Sequence, residues 1–240
     1  MTIYGLIGNS LSHSFSKNYF EDKFAKQQLD QFNYHNIEVQ SLKEFFESSN
    51  IESLAGFNVT IPFKQTIIPF LDEINPDALE IGAVNCVKKE QNGWKGYNTD
   101  YIAFAESINP FLQNHHQQAL VLGSGGASKA ITYALEKKLN IKYKVISRKG
   151  KNNYSSINEE TLSKFHIIIQ CTPLGTHPNT HESPPIPYHV LSHQHLLFDL
   201  VYNPPQSLFL KNGMAQSCQT INGLEMLQLQ AEKSWQIWRN

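Results

Sequence analysis

The sequence is short of charge. Only 17% of its 240 residues are Asp, Glu, Lys or Arg, and 20 basic against 21 acidic side chains leave a formal net charge of −1. There is no field to draw a polyanion or an anionic membrane, so nucleic-acid and membrane partners are not expected. An anionic ligand must instead be held by a few local groups. Cysteine is scarce as well: Cys86, Cys171 and Cys218 are odd in number, far apart and in no metal-ligand spacing. That excludes a disulfide framework and suits a reducing cytoplasm. No apolar run approaches membrane-spanning length, and the amino-terminal MTIYGLIGNSLSHS lacks the basic region and long apolar core of a signal peptide. Repeats at solenoid periods and low-complexity tracts are missing too. A cytoplasmic chain is expected.

What is present is a normal apolar fraction, 40%, enough for one large domain or two modest ones. In the first half, Ile3–Gly8, Tyr34–Val39, Leu54–Thr60 and Ala83–Lys89 read as strands. Ser14–Leu29 reads as a helix with Phe15, Tyr19, Phe20 and Phe24 on one face. Asn92-Gly93 marks a hairpin turn, since both residues tolerate positive φ. Asp100–Ile108 is a helix leaving this half, ended by Asn109-Pro110. The second half restarts with a strand at Ala119–Leu122, a helix near Ala127–Leu139 and a strand at Tyr143–Ser147. His166–Cys171 and Leu196–Val201 are continuous apolar strands of the kind buried in parallel sheets. Between them Thr172–His195, rich in Pro and His, reads as a long surface loop. Gly223–Arg239 carries Leu224, Leu227, Ala231, Trp235 and Trp238 at helical spacing. Such alternation predicts α/β sheets covered by helices.

The segment Ala119-Leu-Val-Leu-Gly123-Ser124-Gly125-Gly126-Ala127-Ser128 puts glycines directly after a strand and before a helix. A turn without Cβ atoms lets backbone N–H groups approach a pyrophosphate, and the helix N-terminus adds partial positive charge. Ser128 stands where the usual pattern has a third glycine, while the strand–loop–helix–strand context favours dinucleotide binding over a plain tight turn. The next strand ends at Ser147-Arg148-Lys149. An Asp or Glu there would accept from the ribose 2′-hydroxyl of NAD; two cations suit a 2′-phosphate and therefore NADP(H).

Polar clusters sit just beyond the strands of the first half: Ser14-Phe-Ser16, Asn58-Val-Thr60-Ile-Pro-Phe-Lys64, Asn85, and Gly96-Tyr-Asn98-Thr-Asp100. Open α/β sheets place ligands at such strand ends, and hydroxyl, amide, ammonium and carboxylate groups together suit a small polyhydroxylated acid. Each also has a bland reading. Ser14 and Ser16 could cap the first helix, Asn58 could satisfy a turn, Lys64 could be solvated and Asp100 is a natural N-cap.

These residues resemble the shikimate dehydrogenase family along nearly the whole chain. The motifs appear in order: Ile7-Gly-Asn-Ser-Leu-Ser-His13-Ser-Phe-Ser16, Asn58-Val-Thr-Ile-Pro-Phe-Lys64, Gly82-Ala-Val-Asn-Cys86 and Gly96-Tyr-Asn-Thr-Asp100. They continue with the glycine loop, Thr172-Pro-Leu-Gly175, Asp199-Leu-Val-Tyr-Asn-Pro-Pro205 and Asn222-Gly-Leu-Glu-Met-Leu-Gln-Leu-Gln230. The resemblance implies NADPH-dependent reduction of 3-dehydroshikimate to shikimate in aromatic amino-acid biosynthesis. By motif, Ser14, Ser16, Thr60, Asn85, Asp100, Tyr202 and Gln230 would bind the ring hydroxyls and carboxylate. Lys64 and Asp100 would be the catalytic pair, and Gly223 with Leu200 would lie against the nicotinamide. Hydride arriving at a ketone builds negative charge on oxygen, which a positioned ammonium can stabilise and protonate. The chain departs from the family at Ser10 and Lys17, where proline is usual. It departs again at Ser147, Lys149, Gln170-Cys171 and Cys86, and both of those cysteines read as small, buried and unreactive.

The architecture implied is two α/β domains facing a cleft. Residues 1–100 would bind substrate, 101–222 would form a Rossmann-like doubly wound parallel sheet for NADP, and the helix 223–240 would rejoin the first domain. The chain is expected to act on a small molecule as a monomer or homodimer. His177, His181, His189, His193 and His195 read as exposed loop residues, with no metal site, and His13 as structural. Two alternatives stand beside the main reading: a quinate-active or NAD-using relative, and a nonenzymatic NADPH-binding regulator. The retained Lys64 and Asp100 argue against the second.

Overall fold

The computed structural model describes residues 1–11, 14–148 and 152–240. It divides into two units, Met1–Thr99 with Gln230–Asn240, and Asp100–Leu229. The first contains strands β1 (Thr2–Gly8), β2 (Phe32–Glu38), β3 (Leu54–Val59), β4 (Glu73–Ile74), β5 (Cys86–Glu90) and β6 (Gly93–Tyr97). Its helices are α1 (Phe15–Lys26), α2 (Leu42–Glu47) and α3 (Pro76–Ile81). The second unit opens with α4 (Asp100–Ile108) and continues through β7 (Gln118–Leu122), α5 (Gly126–Lys137), β8 (Lys142–Ile146), α6 (Glu159–Leu162) and β9 (Ile167–Gln170). It then adds β10 (Leu196–Asp199), α7 (Leu208–Met214) and β11 (Gln219–Ile221). The last helix, α8 (Leu224–Arg239), is itself divided, with residues 224–229 in the second unit and Gln230–Asn240 in the first. Among the described residues no helix is long and apolar enough to cross a membrane.

The first unit is built on a mixed six-stranded sheet in the order β2-β1-β3-β5-β6-β4. β1 pairs in parallel with β2 and β3, whereas β3–β5 and β5–β6 are antiparallel. Side chains alternate across it, as a pleated strand requires. Ile7, Phe57 and Val59 join Val39, Leu42, Phe45 and Ile67 on one face. Tyr4, Leu6, Phe32 and Tyr34 join Phe20, Phe24 and the end of α8 on the other. That second face is aromatic. Tyr4 stacks on Trp238 with ring centroids 4.5 Å apart, Phe20 stacks on Tyr34 at 4.5 Å, and Trp235 meets Phe32 edge-on at 5.1 Å. Such pairs add about 0.5–1.5 kcal/mol each beyond burial. Trp238 Nε1 also donates to Val87 O at 3.0 Å. Between them lies Gly56, where a Cβ would come within 2.5 Å of Trp238 Nε1 and 2.7 Å of Val87 O.

The second unit is a five-stranded sheet, all parallel, in the order β11-β10-β9-β7-β8. Leu120, Val121, Ile167, Ile168, Ile169, Leu196, Leu197 and Phe198 are fully buried, which explains their unbroken apolar runs: both faces are covered.

Three expectations are corrected. The strand expected from Ala83 begins only at Cys86, because Val84 N is drawn to Lys64 O (2.7 Å) and Asn85 N to Tyr97 O (3.0 Å). Gln91 and Asn92 link the hairpin, and Gly93 (φ +122°) opens the next strand beside Asp72. In α8, Leu224 is exposed and Met226 is buried instead.

The loop Thr172–His195 is not wholly a surface loop either. Ile186 and Leu191 reach the core, and a 3-10 turn spans Tyr188–Val190. His177, His181, His189 and His193 are exposed as expected, but His195 is buried. Its Nδ1 accepts from Ser192 N (3.1 Å) and its Nε2 donates to Leu162 O (3.0 Å). Backbone partners satisfy both ring nitrogens of the neutral form, and burial lowers the pKa. No group of side chains suited to a metal occurs among the described residues.

Gly56→Ala should destabilise the first unit by about 1–3 kcal/mol, since neither Trp238 nor the Val87 carbonyl has room to retreat. Urea denaturation followed by tryptophan fluorescence measures this, and an unchanged midpoint would contradict it.

Candidate active site

In the first unit the polar residues gather where β1, β3 and β5 meet the turns beside them. Leu11 is held by N–H donation to Glu38 Oε1 (2.9 Å) and by Asn36 Nδ2 donating to its carbonyl (3.1 Å). Ser14 follows at the N-cap of α1, yet its hydroxyl makes no capping bond, and its buried Oγ has no hydrogen-bond partner among the described residues. Leaving such a group unpaired costs about 1–3 kcal/mol, so capping does not account for this serine. Ser16 is buried in the first turn, beside the Tyr34 phenol. Thr60 follows β3 and is tied to β1 by its N–H to Ile7 O at 3.0 Å. Lys64 lies in the irregular turn beyond, half-buried, with its carbonyl accepting from Val84 N.

Asn85 is buried and bonded at both ends of its amide. Its Oδ1 accepts from Thr99 N (2.7 Å), while Nδ2 donates to Thr99 Oγ1 (2.9 Å) and to Gln230 Oε1 (3.5 Å). Asn58 accepts from Tyr34 Oη at 2.9 Å and donates to Asn85 O (3.1 Å) and Ser234 Oγ (2.8 Å). Ser234 in turn donates to Gln230 O, 2.9 Å away on the preceding turn of α8. Asn58, Asn85, Ser234 and Gln230 therefore belong to one buried polar cluster. Cys86 lies in it, and burial pushes its thiol up to about 12, so it stays protonated.

In the second unit, Gly123 (φ +117°) turns the chain out of β7 and Gly125 forms the N-cap of α5. Nothing lies within 4 Å of a Cβ at Gly125, so the loop offers an open backbone face at a helix N-terminus that no side chain caps and no acid crowds. Ser128, in place of the usual third glycine, is buried, and its Oγ donates to Gly123 O at 2.8 Å. The serine closes the turn from within, so the departure preserves the loop. Ser147 N donates to Asn152 O (3.1 Å), and exposed Arg148 lies near the Tyr154 phenol, whose burial-raised pKa it opposes. Lys149 and His13 lie outside the described residues.

At the far end of the same sheet, Gly223 packs on Leu200: a Cβ would meet Leu200 O at 2.3 Å. Close backbone packing alone therefore demands a glycine here. Leu200 and Tyr202 are half-buried, and burial raises the Tyr202 phenol. Asp199, fully buried, accepts from Val201 N (3.0 Å) and from the Ser207 hydroxyl. Burial pushes its carboxyl up to about 7, against those two bonds.

The expected catalytic residues fall on either side of the division, Lys64 in the first unit and Asp100 as the buried first residue of α4. Sequence reasoning did not single out Tyr34, Thr99, Ser234 or Asp199. Two had a signal: Tyr34 shares strand parity with Phe32, and Ser234 stands four residues after Gln230 on one helix face.

A glycine turn feeding a helix on an all-parallel sheet, joined to a second α/β unit with a cluster of buried polar side chains, defines a two-domain oxidoreductase of the dinucleotide-dependent class. The model for the shikimate dehydrogenase substrate binding domain matches residues 6–87. A shikimate dehydrogenase (NADP(+)) of Clostridium beijerinckii is 37% identical, over 100% of this chain and 92% of that protein. The chain belongs to the shikimate dehydrogenase family. The Thermus thermophilus shikimate 5-dehydrogenase, solved in complex with NADP(H) and shikimate, superposes with a TM-score of 0.86 at 26% identity, covering 99% of this chain and 93% of that one. A quinate dehydrogenase of Corynebacterium glutamicum in complex with NAD gives 0.87 at 25% identity, with the same coverage of each chain. Fold alone therefore does not separate these substrates or cofactors.

The raised pKa of Asp199 has a consequence for stability. Between the ordinary aspartate value near 4 and the folded value of about 7, the folded state holds a proton that the unfolded state has lost. The resulting stabilisation is complete below about 4 and is lost as pH rises through about 7. Asp199→Asn, which keeps the acceptor for Val201 N and presents an N–H to the Ser207 hydroxyl oxygen instead, should remove this part of the pH dependence. Denaturation midpoints from pH 5 to 8 should fall less with rising pH in the variant than in the parent, and parallel curves would contradict the assignment.

Proposed function

We propose that this chain is an NADP-dependent shikimate dehydrogenase, reducing 3-dehydroshikimate to shikimate reversibly as a step of aromatic amino-acid biosynthesis. Its near full-length identity to a shikimate dehydrogenase (NADP(+)) carries this reading. We take Gly123, Ser124, Gly125, Gly126 and Ala127 to hold the pyrophosphate, and Ser147, Arg148 and Lys149 the 2′-phosphate. Leu200 and Gly223 then border the nicotinamide. The open backbone face at Gly125 supports a pyrophosphate there, and the exposed Arg148 without an acidic neighbour in sequence favours a 2′-phosphate. When bound, the cofactor supplies the hydride.

The chain's own residues do the rest. Lys64 stabilises the negative charge that develops on the carbonyl oxygen and delivers its proton, and Asp100 orients the lysine and substrate. Ser14, whose hydroxyl has its donor to spare, suits the substrate carboxylate together with Ser16. Thr60, Asn85, Asp100, Tyr202 and Gln230 address the ring hydroxyls and the far end of the acid. Asn85 reaches a hydroxyl by sharing the N–H aimed at Gln230, a long bond at 3.5 Å. We further take the chain to work in the cytoplasm on a small molecule, as a monomer or homodimer. Its three free cysteines support a reducing compartment.

Lys64→Ala should lower kcat by about 10²-fold or more while leaving the KM for shikimate nearly unchanged. Near-normal turnover would remove Lys64 from the mechanism. Arg148→Ala should raise KM for NADP⁺ far more than for NAD⁺, and equal losses would refute the 2′-phosphate contact. Following nicotinamide absorbance with shikimate or quinate, each with NADP⁺ or NAD⁺, tests the whole assignment. Activity confined to quinate with NAD⁺ would favour the catabolic relative, and no activity in any combination would favour a nonenzymatic binder.

A further inference from the structure

Gln170 is one of the positions at which the chain departs from its family, and the proposed function makes no use of it. It is fully buried at the end of β9, in register with Leu122 of β7 on one side and Asp199 of β10 on the other. There its side chain bonds the turn that follows its own strand. Oε1 accepts from Thr172 Oγ1 at 2.8 Å, and Nε2 donates to Leu174 O at 2.9 Å. Only one setting of the amide serves both contacts. The Leu174 carbonyl can take nothing but an N–H, so the amide oxygen faces Thr172. The threonine gives its one hydrogen to that oxygen and accepts from Leu174 N at 3.4 Å. Two side chains thus tie residues 170–174 together.

That segment backs the glycine turn after β7. Cys171 N donates to Leu122 O at 2.8 Å, carrying the strand pairing one residue further. Where a Cβ would stand on Gly123, the Thr172 methyl lies 3.1 Å away and the Cys171 carbonyl 3.2 Å. Thr172 therefore packs directly on Gly123, whose φ of +117° sets the course of the turn. The turn is braced at Gly123 and open at Gly125. Packing does not demand an amide at position 170, since a methionine of similar length would fill the same space. Burying an amide in an apolar sheet is unfavourable unless its hydrogen bonds are made, and here they are made to the brace. We propose that Gln170 is a positioning residue for the dinucleotide. By fixing Thr172 it supports Gly123 from behind, and it holds the N–H groups of the turn where a pyrophosphate meets them, without touching the cofactor itself. This rests on the reading of the glycine turn as the pyrophosphate site.

Gln170→Met keeps the length of the side chain and removes both bonds. In calorimetric titration of the full chain with NADP⁺ alone, it should raise Kd about three- to ten-fold. KM for shikimate at saturating NADP⁺ should stay within about two-fold of the parent value. Thr172→Val keeps a methyl against Gly123 and deletes the hydroxyl. It should act in the same direction, and it serves if the glutamine variant folds poorly. The double variant tests the route. If Gln170 acts through Thr172, combining the two adds less than about two-fold to the larger single effect, and a full further increase overturns the proposal. Parent-like Kd in both single variants also overturns it, because a lowered unfolding midpoint with unchanged binding marks a purely structural bond. An equal rise in Kd for NADP⁺ and KM for shikimate does so too, since it marks general loosening. Gly125→Val, which puts a side chain on the open backbone face, separates the proposal from the reading beneath it. Should Gly125→Val weaken NADP⁺ about ten-fold or more while Gln170→Met does not, the positioning idea fails and the pyrophosphate reading stands. Should Gly125→Val bind NADP⁺ like the parent, the turn is not the cofactor site and both fall.

Discussion

Much of the first unit depends on how closely the end of α8 approaches the sheet. The approach is set where Trp238 lies over Gly56 and donates to Val87 O. One bulkier residue at position 56 would lift the helix, and the stack on Tyr4 would go with it. The helix carries Ser234 and Gln230 on the face that meets Asn58 and Asn85. An aromatic contact at the far end of the helix thereby sets the depth at which two polar side chains enter the sheet. Lys23 and Tyr19 of α1 both bond Glu232 on the same helix, so α1, which carries Ser16, is tied to the same support. Packing energy spent at the rim of the unit is what keeps its polar centre in register.

In the second unit the governing constraint is backbone geometry. A chain with a net charge of −1 has no general field for an anionic ligand, so attraction is left to local groups such as the oriented N–H groups of a turn. That places severe demands on the turn after β7. Gly123 needs a left-handed conformation with Cys171 and Thr172 close behind it, and Gly125 needs an open face. Ser128 shows that the third glycine of the common pattern is not the essential one. A small side chain that bonds back to Gly123 O closes the turn from inside and leaves the outer face unobstructed.

The parts of the fold legible in the sequence were those in which one short-range pattern decides the outcome. Runs such as Leu120-Val121-Leu122 and Ile167-Ile168-Ile169 announce a two-sided parallel sheet, and Asp100–Ile108 is a helix at the expected bounds. What could not be read depends on partners distant in sequence. Ala83 and Val84 look like strand, but Lys64 O takes Val84 N out of the ladder. His195 looks like loop surface, but carbonyl and amide groups of residues 162 and 192 make a satisfied niche for its ring. The polar motifs around Ser14, Thr60, Lys64, Asn85 and Gln230 were visible because each is a local cluster. Tyr34 and Ser234 sit in ordinary apolar patterns, and only the pairing of β2 and β3 with β1, together with the docking of α8, brings them to Asn58.

Specificity in this family has to be written in such details, because the backbone hardly varies with substrate or cofactor. A quinate dehydrogenase bound to NAD and a shikimate dehydrogenase bound to NADP(H) fit this chain equally well, at TM-scores of 0.87 and 0.86. A shared scaffold can discriminate only through side chains whose removal or misorientation leaves a buried polar group unpaired, since that is where a missing hydroxyl or phosphate becomes costly. Ser14 has that character, its buried hydroxyl meeting no partner among the described residues. Asn85 has it least, because Thr99 and Gln230 already satisfy its amide. With both ends of its amide already bonded, Asn85 therefore serves chiefly to keep the centre of the cluster in place.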